Sequence, residues 1–315
     1  MTDKGSSHSG SLQFYPRVRA RKIIPSVNWG AVSKSVNGLT GFIGYKVGMI
    51  SVWAKDDTAN SMTKGKRIVI PATVIECPAM KIYSVRFYKN GIVLKDVVVS
   101  NDKDLKKKIK LSKGVGDISS VKDFDDVRIV IYSGVKMTGI GKKKPDMMEI
   151  ALGGNLDEKI KYIGEKIGKG ILVGDVFKNL ELVDVRAVTK GYGTQGPVRR
   201  FGITLKNHKS EKGVRRPGSL APWHPARVTF RAPQAGQTGY HSRTSYNNLI
   251  LSVGKNSERD VNKSGGFKHF GVVKNDYLVL RGSIPGPKKR GIVITRALRP
   301  NKFISKKKLE VLEFR

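Results

Sequence analysis

Residues 189–248 set the first constraint on this chain, because they hold too little apolar material to build a core. The stretch reads TKGYGTQGPVRRFGITLKNHKSEKGVRRPGSLAPWHPARVTFRAPQAGQTGYHSRTSYNN. It contains eight glycines, five prolines, eleven Lys or Arg and a single acid, Glu211. Apolar residues never repeat with a strand or helix period for more than a few positions. A segment of this kind cannot offset its own ordering entropy in water. Yet Tyr192, Phe201, Trp223, Phe230, Tyr240 and Tyr246 are spread through it. Cations, kinking residues and interleaved aromatics describe a chain that orders on a polyanion with exposed bases. Single-stranded and looped RNA presents such a surface.

The rest of the charge points the same way. The net charge is +35 over 315 residues, an excess that costs self-repulsion unless a partner neutralises it. It is uneven. Residues 96–181 carry 17 basic and 14 acidic side chains, whereas the remainder carries 43 and 11. One section therefore reads as an ordinary solvated surface and the rest as buried in counter-charge. At 39% hydrophobic residues the chain still has material for a core. Its longest apolar runs, such as IVIPATVI at 68–75, are strand-sized, so no membrane partner is expected. The opening MTDKGSSHSGSLQFYP lacks the apolar stretch of a signal peptide. The lone Cys77 permits no internal disulfide and fits a reducing interior. It reads as a small buried hydrophobe.

Along the chain, residues 1–41 form an expected extended basic arm, with Arg17, Arg19, Arg21 and Lys22 between Pro16 and Pro25. Strand patterns follow at 42–53, 67–77, 81–88 and 92–99, with Asn90-Gly91 as a tight-hairpin signal. Residues 101–181 read as an α+β insertion. DKDLKKKIKL is expected to be a capped helix, 125–133 a strand, and 155–168 a helix with Leu156, Ile160, Ile163 and Ile167 on one face. Strand patterns return at 182–189, 248–254, 267–273, 277–284 and 291–298, and a basic tail occupies 301–315. The expected architecture is mainly β. Strands from 42–100 and 182–300 build a barrel, 101–181 is inserted, and 189–248 is a long irregular central loop. An excursion that long is acceptable if a partner orders it.

Within the loop, Gly191, Gly193 and Gly196 match GxGxxG after a strand, but PVRRFG reads as no helix start. No acid stands about twenty residues on to take a ribose. The motif reads as a glycine turn whose backbone approaches phosphate, or as a plain flexible turn. His208, His224 and His241 are 16 and 17 residues apart. They lack zinc-ligand spacing, and read as RNA contacts or as solvated or packed histidines. Trp223, between Pro222 and Pro225, reads as an aromatic presented to RNA, the alternative being packing on the barrel. Phosphate contact is expected from Arg17, Arg19, Arg21 and Lys22 of the arm and from Lys190, Arg199, Arg200, Lys206, Lys209, Arg215 and Arg216. The same holds for Arg227, Arg231, Arg243, Lys288, Lys289 and Arg290; for the runs Arg199-Arg200, Arg215-Arg216 and Lys288-Lys289-Arg290 the bland reading is a solvated face. No catalytic residue, metal, cofactor or small-molecule substrate is expected. An RNA-modifying enzyme is the competing class, and it would need a carboxylate base, a metal cluster or a cofactor.

Several blocks carry a family resemblance. WHPARV followed by AGQTGYHSRTSYN closely resembles the central loop of the universal large-subunit ribosomal protein number three family, archaeal and eukaryotic type. GSLQFYPRVRARK resembles its amino-terminal arm, GFIGYKVGM its first barrel strand, VTKGYGTQGPVRRFG its entry into the loop, and GGFKHFGVVKNDYLVLRGSIPGPKKR its closing section. The resemblance implies a six-stranded barrel of the translation-protein type. It implies binding to large-subunit ribosomal RNA early in assembly, contact with neighbouring ribosomal proteins, and a cytoplasmic ribosomal location. It also implies a central loop running toward the peptidyl transferase centre, with Trp223 at its tip. One position departs: eukaryotic members carry a histidine where this chain has Glu211. The short 101–181 insertion and carboxyl tail suit an archaeal member.

Overall fold

A computed structural model describes residues 11–32, 37–112 and 114–315. Residues 1–10 and 33–36 of the expected arm and Lys113 of the expected insertion lie outside the described residues. The chain divides into two compact units. One joins the residues up to Lys22 with Val188–Ser242, and the other joins Ile23–Ala187 with Arg243–Arg315. The strands are β1 (Gly38–Leu39), β2 (Gly41–Asp56), β3 (Arg67–Glu76), β4 (Met80–Lys89), β5 (Ile92–Val98), β6 (Asp126–Ser133), β7 (Met147–Gly153) and β8 (Leu182–Val188). They continue as β9 (Gly191–Gln195), β10 (Gly236–Gly239), β11 (Ser242–Gly254), β12 (Tyr277–Arg281), β13 (Gly291–Arg296) and β14 (Leu309–Phe314). Three α-helices intervene: α1 (Leu156–Lys166), α2 (Pro197–Phe201) and α3 (Lys302–Ser305). The protein is mainly β, as its β-branched runs require.

The larger sheet of the second unit has the order β13-β8-β11-β12-β3-β2-β14, and β13 also pairs with β2. Ile294, for example, lies opposite Val185 on β8 and Phe42 on β2. β2 shows how sequence sets the packing. Tyr45 and Val47 enter one core cluster, then the register shifts between Lys46 and Gly48, and Ile50, Val52 and Ala54 enter the same cluster. The bulge flips the parity of the strand; without it those three side chains would face the other way. β12 is buried on both faces. Tyr277 and Val279 join one cluster, Leu278 and Leu280 the other. That is why YLVL reads as a continuous apolar run.

A second sheet, ordered β1-β7-β6-β4-β5, includes the balanced-charge section. Ile82, Val85 and Phe87 of β4 pack with Ile129 and Ile131 of β6 and Ile163 of α1. Asn90 and Gly91 take φ of 51° and 75° and close the expected hairpin. The ion pairs Arg86–Asp96, Arg86–Glu149, Arg128–Glu149 and Lys159–Asp126 lie here, which accounts for the charge balance.

Four local expectations are corrected. DKDLKKKIKL makes only a 3-10 turn at Lys103–Lys107. Asp102 takes bonds from Tyr132 and Lys81 instead of capping, and only Leu105 is buried. The α1 face departs at one position: Ile163 is buried and Ile167 packs on the core as expected, but Ile160 is exposed, and Lys159 is buried with its ammonium 2.6 Å from Asp126. Residues 267–273 form a turn in which Phe267 bridges Gly271; Phe267, Phe270 and Val273 are buried without a strand. PVRRF does start a helix, with Pro197 in the first turn after Gly196. Proline suits that place because its missing N–H has no intrahelical partner there.

Candidate nucleic-acid interface

The first unit is built around a small ladder. β9 and β10 pair antiparallel, Gly236 opposite Gln195 and Gly239 opposite Gly191. Glycine is required at Gly239. Gly239 has φ +70°, and a Cβ there would lie 2.0 Å from the Lys190 carbonyl oxygen. A Cβ on Gly236 would lie 2.9 Å from the Arg200 guanidinium carbon. α2 ends at Gly202 in the left-handed conformation and turns Arg200 back over the ladder. There its guanidinium donates to the carbonyls of Gln234 (3.1 Å) and Gln237 (3.2 Å).

The segment before Ile23 closes onto this base. Arg17 donates to the Arg200 carbonyl at 2.9 Å and lies 4.4 Å over the Phe201 ring. Ala20 N–H donates to the Tyr240 carbonyl at 2.8 Å, and His241 Nδ1 lies 2.8 Å from the Val18 carbonyl oxygen. Arg19 stacks on Tyr240, and Tyr15 meets Phe230 edge-on at 5.3 Å. Described residues 11–22 of the expected arm form no helix or strand and none is buried, but Tyr15, Arg17, Arg19 and Ala20 contact residues of 200–241. The physical reason is stacking: Arg17 and Arg19 each find an aromatic face, worth roughly 0.5–1 kcal/mol at exposed sites and more when desolvated.

Beyond this base the unit has almost nothing to bury. Among residues 189–247 only Phe201 is buried. No helix or strand lies between Gly202 and Gly236. Backbone pairing in that span is sparse, with Lys206 N–H to the Val214 carbonyl as its one long closure. Lys190, Arg199, Lys206, Lys209, Arg215, Arg216, Arg227 and Arg231 are exposed, as are His224 and Trp223, the last at 89%. The ion pairs among the described residues all lie outside 188–242. Arg199 lies 4.6 Å and Lys190 5.8 Å over the Tyr192 ring, so a half-exposed aromatic stands among cations. Glu211 is exposed.

The remaining expected contacts fall into different settings. Arg21 and Lys22 are exposed at the end of that segment. Arg17, Arg200 and His241 have polar groups engaged inside the unit. Arg243 and the turn Lys288–Lys289–Arg290 belong to the second unit. Lys46 fixes that turn: its ammonium donates to the carbonyls of Ile284 (2.6 Å) and Gly286 (2.9 Å), and burial pushes its pKa down. Lys288 donates to the Lys268 carbonyl, while Lys289 is exposed at φ 67°. Sequence reasoning missed the internal roles of Arg17, Arg200 and Lys46; the only signal was their place beside glycines or aromatics. Among the described residues, no group of three or more His, Cys, Asp or Glu is placed to hold a metal ion. The chemistry available to this surface is charge neutralisation, hydrogen-bond donation and stacking.

A mainly β body joined to a basic, core-poor unit whose exposed cations lack acidic partners has the electrostatic footprint of a nucleic-acid-binding protein. The sequence pattern of the family described as Ribosomal protein L3 matches residues 1–97 and 88–315. The chain belongs to that family. Three archaeal relatives are each called large ribosomal subunit protein uL3. That of Archaeoglobus fulgidus is 43% identical, covering 93% of this chain and 92% of its own. That of Methanothrix thermoacetophila is 40% identical over 96% and 94%. That of Methanocaldococcus jannaschii is 40% identical over 94% and 92%.

Proposed function

We propose that this chain is a structural, non-catalytic protein of the large ribosomal subunit, working on the cytoplasmic ribosome. It binds large-subunit ribosomal RNA, supports early assembly and touches neighbouring ribosomal proteins. One observation carries the proposal: the unit 188–242 exposes its cations without acidic partners and buries a single residue between 189 and 247. A protein in water gains nothing from such a surface. A polyphosphate backbone supplies both the missing charge and the missing ordering energy.

Phosphate contacts fall to Arg19, Arg21, Lys22, Lys190, Arg199, Lys206, Lys209, Arg215, Arg216, Arg227 and Arg231, with Arg243, Lys289 and Arg290 from the other unit. Trp223 and His224 meet bases, and the loop runs toward the peptidyl transferase centre. Arg17, Arg200, His241 and Lys288 shape the surface as much as they touch RNA. Strands β2, β3, β12, β11, β8 and β13 form a closed six-stranded barrel; the double pairing of β13, with β8 and with β2, supports this closure. No observation favours the RNA-modifying alternative.

Sedimentation of cell lysate in moderate salt tests the class. The protein should migrate with large subunits and leave them only at high salt. Migration as a free protein with no ribosomal fraction would refute the proposal.

A further inference from the structure

The exposed aromatic side chains of this protein single out a second place. After Trp223, the most exposed large aromatic is Phe303, at 84%. A lone exposed hydrophobe is ordinary. Phe303 differs in how it is held and in what surrounds it. It sits in α3, whose Asn301 side chain accepts from the N–H groups of Phe303 (2.9 Å) and Ile304 (3.2 Å). Asn301 N–H in turn donates to the Asn247 side chain at 3.0 Å, tying the turn to β11. Ile304 packs against the core cluster, and Leu309 just beyond is buried in it. One side of this short turn is anchored, and the phenyl ring on the other is exposed to solvent.

The surroundings are cationic. Residues 296–308 hold six Lys or Arg and no acid. Arg296 is taken by Glu181 at 2.7 Å. Arg299, Lys302, Lys306, Lys307 and Lys308 form no ion pair among the described residues. The neighbouring Asp57 pairs with Lys55. Arg299 lies 5.7 Å over the ring of Tyr246, itself half exposed. An exposed ring on an anchored turn, among cations without ion pairs, fits an unstacked base flanked by phosphates. An apolar partner protein would have to desolvate those cations without compensation.

We propose that Phe303, Tyr246, Arg299, Lys302 and Lys306 form a second RNA contact, in which one extruded or single-stranded base stacks on Phe303. This rests on the reading of the chain as a ribosomal RNA-binding protein and adds a site that, apart from Tyr246, lies outside the 189–248 loop. The test uses the full-length protein and transcribed large-subunit ribosomal RNA. Ultraviolet crosslinking of wild type should join the peptide containing Phe303 to a nucleotide. Phe303→Ala and Phe303→Leu should bind roughly 5- to 100-fold more weakly, while Phe303→Tyr stays near wild type and all three keep its melting temperature. Lys302→Gln should weaken binding and flatten its salt dependence.

Two results would overturn the site alone. Phe303 variants that bind like wild type, while Trp223→Ala and Arg215→Gln weaken binding, would leave the loop reading standing and remove this one. Retained affinity in Phe303→Leu with loss in Phe303→Ala would mean plain apolar contact and would remove the stacked base. Absence of RNA binding by the wild type would remove both readings.

Discussion

Arg17 and Arg200 use guanidinium groups that sequence alone would assign to phosphate. Each is turned inward: Arg200 to the Gln234 and Gln237 carbonyls, Arg17 to the Arg200 carbonyl and the Phe201 ring. The planar fork of arginine makes this possible, because it donates several bonds and stacks at once. Trp223 is the opposite case, with 89% of its surface free. Trp223→Ala should therefore leave the melting temperature within about 1 °C of wild type, since surface changes cost little. It should weaken RNA binding by roughly 1–3 kcal/mol. Thermal melting and chemical probing of subunits containing the variant check both halves; a large drop in melting temperature with unaltered RNA reactivity would make Trp223 a core residue.

A pH dependence also belongs to single residues. Asp56 accepts bonds from Thr58, Thr63 and Ser61, and these hold its carboxyl far below the usual carboxylate range. A depressed folded-state pKa gives stability that is present above the unfolded value near about 4 and is lost as pH falls below it. Asp56→Asn should melt roughly 2–6 °C below wild type at pH 7. That gap should close progressively as pH falls below about 4. Melting curves across pH 2–7 check this, and a gap that widened in acid would contradict the assignment.

At the scale of elements, charge separates two populations of cations. In the sheet β1-β7-β6-β4-β5 they meet acids: Arg86, Arg128 and Lys159 are all paired. In 188–242 they do not. Changing Lys106, Lys107 and Lys108 to Gln together should alter RNA affinity less than about 3-fold. Changing Arg199, Arg215, Arg216 and Arg227 should weaken it at least about 100-fold at moderate salt. Equilibrium binding to ribosomal RNA checks the contrast, and equal effects would defeat it. Arg200 is left out of this set because its loss would disturb the ladder itself.

The legible elements were those whose signal is local. The β-branched runs of β2, β3, β4 and β6 and the Asn90-Gly91 turn need only neighbours in sequence to be recognised. The errors came where a distant partner decides. Lys159 is buried against Asp126 on β6, so the packed face of α1 takes in Lys159 with Ile163 and leaves Ile160 exposed. Phe267 and Phe270 fill a core from a turn, where strand periodicity has no meaning. In the candidate interface, the cationic and aromatic content was visible residue by residue. What was not visible was the closure of residues 18–20 onto Tyr240 and His241, since nothing in either segment names the other.

For the whole molecule, the account rests on electrostatic neutralisation. The net charge of +35 is concentrated outside 96–181, and the unit built from 188–242 leaves its cations to be satisfied by another molecule. Counterions released from RNA on binding make this directly measurable. Each phosphate neutralised contributes roughly 0.7 to 0.9 to the slope of log affinity against log salt. The decisive measurement is the affinity of the intact protein for large-subunit ribosomal RNA across a salt series from about 0.05 to 0.5 M. With eight or more phosphates engaged, the slope should have a magnitude of about 6 or greater. A magnitude near one or two would show that most of these cations never meet phosphate, and would contradict the account.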